Sequence, residues 1–220
     1  MPQKAKTMYL CSECGFESPR WYGKCPECRE WNTISEYIKA PEKPSLSSVI
    51  PVNMRDIENS VTMVSDIDPN AEIRRDTGMG ELNRVLGGGI VDGSVTLLSG
   101  DPGIGKSTLL LQMCKTICDT RRVLYIAGEE SPGQIKMRAS RIGLIGDNLY
   151  VARITDVEHA IHMINHLKPD VVMVDSIQTM NHASVSSSSG SVTQVRECAQ
   201  ALIHAAKFGE TPIFLVGHVK

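Results

Sequence analysis

The chain has 220 residues, of which 41% are hydrophobic and 22% charged, with a formal net charge of −2. That length admits one substantial core plus a small satellite; the composition excludes a disordered chain, and the near-neutral balance excludes a protein that grips nucleic acid with its whole surface, though not one with a local basic patch or a binding loop. No window approaches the roughly 18 uninterrupted apolar residues of a membrane helix, and the polar start from Met1 to Tyr9 has no apolar signal region, so a cytoplasmic location without a membrane partner is expected.

Residues 1–38 are a compositional island holding both tryptophans and the aromatics Tyr9, Phe16, Tyr22 and Tyr37. Cys11-Ser12-Glu13-Cys14 and Cys25-Pro26-Glu27-Cys28 form two C-x2-C pairs separated by ten residues. Two facing knuckles of this kind set four thiolates around one tetrahedral Zn²⁺ at about 2.3 Å. A redox C-x-x-C needs only one pair, so the matched pairs favour metal; an iron–sulfur cluster would use the same ligand type. A domain this short does not bury enough apolar surface to fold unaided. A closed structural zinc site held by Cys11, Cys14, Cys25 and Cys28 is therefore expected. Trp31 is expected in the miniature core. Trp21 either joins it or, with Arg20, Tyr22 and Lys24, offers rings and cations that stack on bases.

Residues 39–72 read as a linker, with Pro41, Pro44, Pro51 and Pro69 among several serines and no sustained periodicity. From residue 73 to residue 220 strand-like and helix-like segments alternate. Met79–Leu86 reads as a short helix stopped by Gly87-Gly88-Gly89, and Val95–Ser99 as a buried strand. Gly100-Asp101-Pro102-Gly103-Ile104-Gly105-Lys106-Ser107 then matches G-x-x-x-x-G-K-[ST] at every position. Glycines let backbone N–H groups turn inward around a phosphate, and the following helix adds its positive end. Lys106 would reach the β- and γ-phosphates of ATP, Ser107 would sit on Mg²⁺, and Thr108 would lie near the α-phosphate. A Rossmann dinucleotide loop fits poorly, because the third glycine is missing.

A helix is expected from Lys106 to about Cys118 and a strand at Arg122–Ala127. Glu129 and Glu130 follow that strand directly. A carboxylate there orients and deprotonates the attacking water, with Glu129 first off the strand and Glu130 its substitute. The alternative is that both acids serve the helix beginning at Ser131-Pro132. Further elements are a helix at Gln134–Arg141, a weak strand at Leu149–Val151 and a helix at Val157–Leu167. The strand Val171–Val174 ends in Asp175, the expected Mg²⁺ carboxylate. A Ser-rich loop at Ser184–Ser191 precedes a helix at Val192–Phe208 and a strand at Pro212–Val216. Cys114, Cys118 and Cys198 fall in helical segments and read as small buried hydrophobes. The alternation predicts an α/β fold: a parallel sheet with helices on both faces.

The stretch Tyr9–Gly15 through Trp21–Cys28 to Trp31-Asn32-Thr33, together with Thr77-Gly78, Glu81–Ile90 and Gly100–Leu110, resembles the RadA (Sms) family of RecA-like recombination ATPases. The resemblance implies a RecA-type P-loop core behind a zinc ribbon, with the strand at 122–127 beside the phosphate-loop strand. It implies a DNA-dependent ATPase of recombinational repair that assembles as a homo-oligomeric ring and promotes branch migration on single-stranded DNA. A recombinase or replicative helicase is the implied partner. Ser184–Gly190 would match a DNA-facing loop; His218 would match a nucleotide-sensing residue or be a polar strand end. The family continues with further strands, a lysine-asparagine-arginine-phenylalanine-glycine motif and a Lon-like domain. None of these occurs before Lys220, so the chain is expected to correspond to the amino-terminal part. The alternative is a non-catalytic ATP-binding module whose ribbon docks a helicase or recombinase.

Overall fold

The computed structural model describes residues 6–39, 61–68, 73–144 and 146–218, which fall into two units, Met1–Glu72 and Ile73–Lys220. Most of the linker expected at 39–72 lies outside the described residues. Within it, residues 61–68 carry one 3-10 turn at Val64–Asp66.

In the first unit, β1 (Lys6–Cys11) lies between β2 (Glu17–Ser18) and β3 (Ile34–Lys39) in an antiparallel three-stranded sheet. Its core is Cys11, Cys25 and Ile34, against which Tyr9, Phe16, Cys14 and Cys28 pack. The two tryptophans are outside it: Trp21 is 58% exposed and Trp31 67% exposed. The expectation that Trp31 fills the miniature core is therefore corrected, because the cysteine cluster occupies that space. The Trp31 ring instead carries the Lys24 ammonium 5.5 Å from its centroid, and the Trp21 indole N–H donates to the Ile34 carbonyl.

The second unit opens with β4 (Arg74–Arg75) paired antiparallel to β5 (Ile90–Val91), with helix α1 (Gly80–Val85) between them. Gly89 sits at φ +138°, where a Cβ would lie 2.4 Å from the Arg75 carbonyl oxygen, so the tight return to β5 requires glycine. There follow β6 (Val95–Gly100), α2 (Lys106–Ile117), β7 (Val123–Ala127), α3 (Pro132–Arg141), β8 (Leu149–Arg153), α4 (Val157–Leu167), β9 (Val171–Asp175), α5 (Val192–Gly209) and β10 (Ile213–His218).

The five strands β6–β10 form one parallel sheet in the order β6-β10-β9-β7-β8. From β6 to β8 the chain crosses the sheet in one direction; from β8 to β10 it comes back. Right-handed crossovers then put the helices of the two passes on opposite faces. The burial pattern agrees. Tyr125, Met173 and Phe214 pack with Leu110, Met113 and Ile135 of α2 and α3 on one side. Leu124, Val172 and Leu215 pack with Ala160, Ile164 and Leu202 of α4 and α5 on the other. The central strands β7, β9 and β10 are covered on both faces, which is why they read as continuous apolar runs. The edge strands β6 and β8 are only partly covered, so Val95–Ser99 is not the buried strand expected, and Leu97 is 59% exposed. Cys114, Cys118 and Cys198 are buried in these cores, and burial pushes the Cys118 and Cys198 thiols up to about 11, which keeps them protonated and inert. Among the described residues no helix is long and apolar enough to cross a membrane.

One topological expectation fails. Strand β7 does not neighbour the phosphate-loop strand β6, because β10 and β9 lie between them. The last strand in sequence inserts beside β6, a choice made by packing and crossover geometry that no local pattern in β7 encodes.

Past β7 the chain comes close to the turn that follows β9. A Cβ at Gly128 would lie 1.8 Å from Thr179 Oγ1 and 2.4 Å from its Cβ. Gly128→Ala is expected to destabilise this unit by about 1–3 kcal/mol, measured as a lower melting temperature. Adding Thr179→Gly, which removes both the hydroxyl and the Cβ, should restore part of the loss, although it takes away the group that donates to the Ser176 carbonyl. Equal melting temperatures for the single and double variants would show that this contact does not dictate the glycine.

Candidate functional site

In a parallel sheet every strand delivers its following loop to the same edge, and ligands bind outside the carboxyl ends. The loop after β6 turns through Gly103 at φ +81° and Gly105 at φ +103° before α2 starts at Lys106. Neither position has an atom within 4 Å of a built Cβ, so glycine is required there by the backbone angle and not by crowding. The Lys106 ammonium folds back on the loop and donates to the carbonyls of Gly100 at 2.7 Å and Asp101 at 2.8 Å. Asp101, Pro102, Gly103 and Ile104 are exposed, and Ser107 and Thr108 stand half-buried at the head of α2.

Ser107, Tyr125, Ala127, Glu129, Glu130, Asp175, Ser176 and His218 line a cleft of about 120 Å³ at this edge. The ends of β7, β9 and β10 and the head of α2 thus bring together side chains far apart in sequence. A larger depression of about 420 Å³, lined by Arg75, Asp92 and Asp170, lies around the loops that lead into β9 and β10, and it collects none of these groups.

The two glutamates part company. Glu130 is ion-paired with Arg138 of α3, whereas Glu129 is exposed and has no ion-pair or hydrogen-bond partner among the described residues. Neither caps α3. Its N-cap is Ser131, in a reciprocal capping box with Gln134. Asp175 accepts a hydrogen bond at 2.7 Å from the Tyr125 hydroxyl. Burial, then the Asp175 charge, push the Tyr125 phenol far above its ordinary range, so it stays a donor. Sequence reasoning missed Tyr125, which reads as one more apolar residue of a buried strand. A polar-tipped residue two positions before the strand end was the available signal.

The backbone carbonyl of His218 accepts from the Gln178 amide. The Ser-rich loop is tied to α5 by one buried side chain: the Gln194 amide donates to the carbonyls of Val185 and Ser187, at 3.0 and 2.9 Å, and accepts from the His182 N–H at 2.8 Å. Sequence composition gave no hint of that tether.

In the first unit the four expected sulfurs lie within 4.8 Å of one another. Cys11 and Cys28 are 3.7 Å apart and Cys14 and Cys25 3.5 Å. A disulfide needs about 2.05 Å, whereas a tetrahedron with 2.3 Å arms has edges of about 3.8 Å. The cluster therefore fits a metal ion and no disulfide. The knuckles are built alike. In the first, Gly15 N–H donates to the Cys11 carbonyl; in the second, Arg29 N–H donates to the Cys25 carbonyl. Both donors are left-handed, at φ 75° and 62°. Arg29 takes the part that glycine plays in the first knuckle, which hid the equivalence in the sequence.

Comparison with known proteins gives both units relatives. The profile described as "Rubredoxin metal binding domain" matches residues 9–36. The chain is 49% identical over 217 residues to "DNA repair protein RadA" of Listeria monocytogenes, covering 98% of this chain and 47% of that protein. It is 44% identical over 217 residues to the protein of the same name from Bacillus subtilis, again 98% and 47% of the two chains. With that from Haemophilus influenzae it shares 43% over 219 residues, 100% and 48%. The chain thus spans about half the length of the curated relatives it matches. The resemblance to RadA drawn from the cysteine pairs and the phosphate loop stands, and the profile described as "AAA domain" matches residues 67–220, the greater part of the sequence. The chain belongs to that AAA-domain family.

Proposed function

We propose that this chain binds and hydrolyses ATP at the β6–α2 loop and works on single-stranded DNA in recombinational repair, in the cytoplasm and within a homo-oligomeric ring. Branch migration of recombination intermediates is the activity proposed, with a recombinase or replicative helicase as partner. The observation that carries the reading is the convergence of Ser107, Glu129 and Asp175 on one cleft next to the Lys106 loop. Relatives named for DNA repair support the nucleic-acid half of it.

In this reading the backbone of Gly100–Gly105 cradles the phosphates. Lys106 exchanges its two carbonyl partners for phosphate oxygens, and Thr108 lies near the α-phosphate. Glu129 takes the proton from the attacking water. Ser107 and Asp175 would hold Mg²⁺, a hydroxyl and a carboxylate that suit a hard cation and already line one cleft. Magnesium bound there would neutralise charge on the β- and γ-phosphates. Zn²⁺ on Cys11, Cys14, Cys25 and Cys28 would hold the ribbon together and take no part in the chemistry.

The test is ATP turnover by the zinc-loaded chain with and without single-stranded DNA, beside Lys106→Ala. Turnover raised by DNA and lost in the variant is the expected result. A second reading, a non-catalytic ATP-binding module whose ribbon docks a protein, is favoured by one observation: Trp21, Tyr22 and Trp31 are exposed on the ribbon and not used in its core. Nucleotide binding without turnover, at any DNA concentration, would select it.

A further inference from the structure

Asp175 is the last residue of β9, paired with Ala127 where the β7–β9 ladder ends. Its carbonyl accepts from the Gly128 N–H at 3.0 Å, but the carboxylate itself turns about two torsions beyond the sheet. A carboxylate that must offer one oxygen in a fixed direction needs a partner on the other. Among the described residues the only group bonded to it is the hydroxyl of Tyr125, at 2.7 Å on Oδ2.

The sheet explains why Tyr125 can reach. In the parallel β7–β9 pair, Tyr125 stands opposite Met173 and Ala127 opposite Asp175. Side chains two residues apart on a strand share a face, so Tyr125 and Asp175 are diagonal neighbours on the face that α2 and α3 cover. A phenylalanine would fill the same space and fall one oxygen short. The Tyr125 ring is 1% exposed and packed in the core cluster of that face, so the hydroxyl is presented by a side chain that the core immobilises. Tyr125 lines the cleft shared by Ser107 and Glu129.

We propose that Tyr125 is the positioning residue of the metal-binding carboxylate: its hydroxyl holds Oδ2 of Asp175 and so turns Oδ1 toward the magnesium that Asp175 and Ser107 would share. The inference rests on the reading of Asp175 as the magnesium carboxylate. It makes the α2–α3 core, through one ring, part of the metal site. The plain alternative is that the bond only satisfies a buried phenol, in which case removing the hydroxyl changes the stability of the fold and leaves the metal untouched.

Binding of a fluorescently labelled ATP to the full chain, titrated with Mg²⁺, separates these. Tyr125→Phe keeps the ring and its packing. It is expected to raise the Mg²⁺ concentration at half-saturation by about 10-fold or more, the usual effect of losing an outer-shell partner of a metal ligand. Affinity for the labelled nucleotide in excess chelator should not change. Asp175→Asn is the control for the underlying reading and should raise the Mg²⁺ requirement at least as far. If Asp175→Asn raises it and Tyr125→Phe does not, the inference is overturned, whatever happens to the melting temperature. If Asp175→Asn has no effect on the Mg²⁺ requirement, the assignment of Asp175 fails first.

Discussion

Replacing Cys25 with serine is expected to release the metal and unfold the amino-terminal ribbon, the largest structural effect any single substitution in this chain should have. The reason is the poverty of the ribbon's own core. Apart from the sulfurs, Ile34 and Leu10 are its buried apolar side chains among the described residues, with Tyr9 and Phe16 only partly covered. Both tryptophans, which would otherwise supply the bulk of its buried area, are on the outside. A structural zinc contributes an apparent 10–16 kcal/mol, in round terms about 13, in comparable peptides at neutral pH. No combination of those few contacts approaches that. Serine at position 25, where the native Cys25 is 1% exposed, offers no thiolate, and three ligands leave the site open to water. Metal analysis of the native chain should give one zinc for its one four-sulfur cluster, and the variant should give none. Trypsin should then cut at Arg20, Lys24 and Arg29; in the folded ribbon the Arg20 N–H donates to Ser18 Oγ, Lys24 rests on the Trp31 ring and the Arg29 N–H closes the second knuckle on Cys25. A Cys25→Ser ribbon that carries no metal and still resists trypsin would refute the structural role of the ion.

How much of this was legible beforehand depends on whether the signal is local. The helix at Val157–Leu167 was readable end to end: Asp156 caps it by accepting from His159 N–H, and Lys168 ends it in a left-handed turn before Pro169. The phosphate loop was readable because its glycines, lysine and serine are neighbours in sequence. The four sulfurs were readable because paired spacing encodes a knuckle. What depends on strand order was not. Nothing in β10 announces that it will lie between β6 and β9, and so the expected β6–β7 neighbourhood was wrong. The Tyr125–Asp175 bond needed both the pairing of β7 with β9 and its register, and fifty residues separate the partners. Trp31 failed for a different reason. Hydrophobicity predicts burial only while there is core to enter, and in a unit this small the sulfurs fill it.

Strand order also explains why the two glutamates after β7 should behave differently. Ala127 stands opposite Asp175, so the next residues of the chain rise beside the Asp175 carboxylate whether or not β7 touches β6. Gly128 holds that approach, since its N–H donates to the Asp175 carbonyl. Glu130 points to α3, where Arg138 pairs with it and both side chains are about one-third exposed, 33% and 32%. Both glutamates line the cleft, but Glu129 has no such partner among the described residues. A general base must be free to bind water and to accept its proton, and a carboxylate bound in an ion pair is hindered in both. Glu129→Gln is therefore expected to lower ATP turnover by about 10²–10⁴-fold, the range for loss of a general base. ATP affinity and melting temperature should hold, because the substituted side chain has the same shape and had no partner to lose. Glu130→Gln is expected to leave turnover within about tenfold, since the base remains. Its effect should fall on α3, where a partly exposed ion pair contributes no more than about 1 kcal/mol. Single-turnover measurements on both variants, with labelled-ATP binding alongside, give the comparison. A large loss in Glu130→Gln with Glu129→Gln near the wild-type rate would exchange the two roles. Equal and severe losses in both would mean that the pair acts as a unit, with Arg138 holding one carboxylate so that the other is aimed at the water.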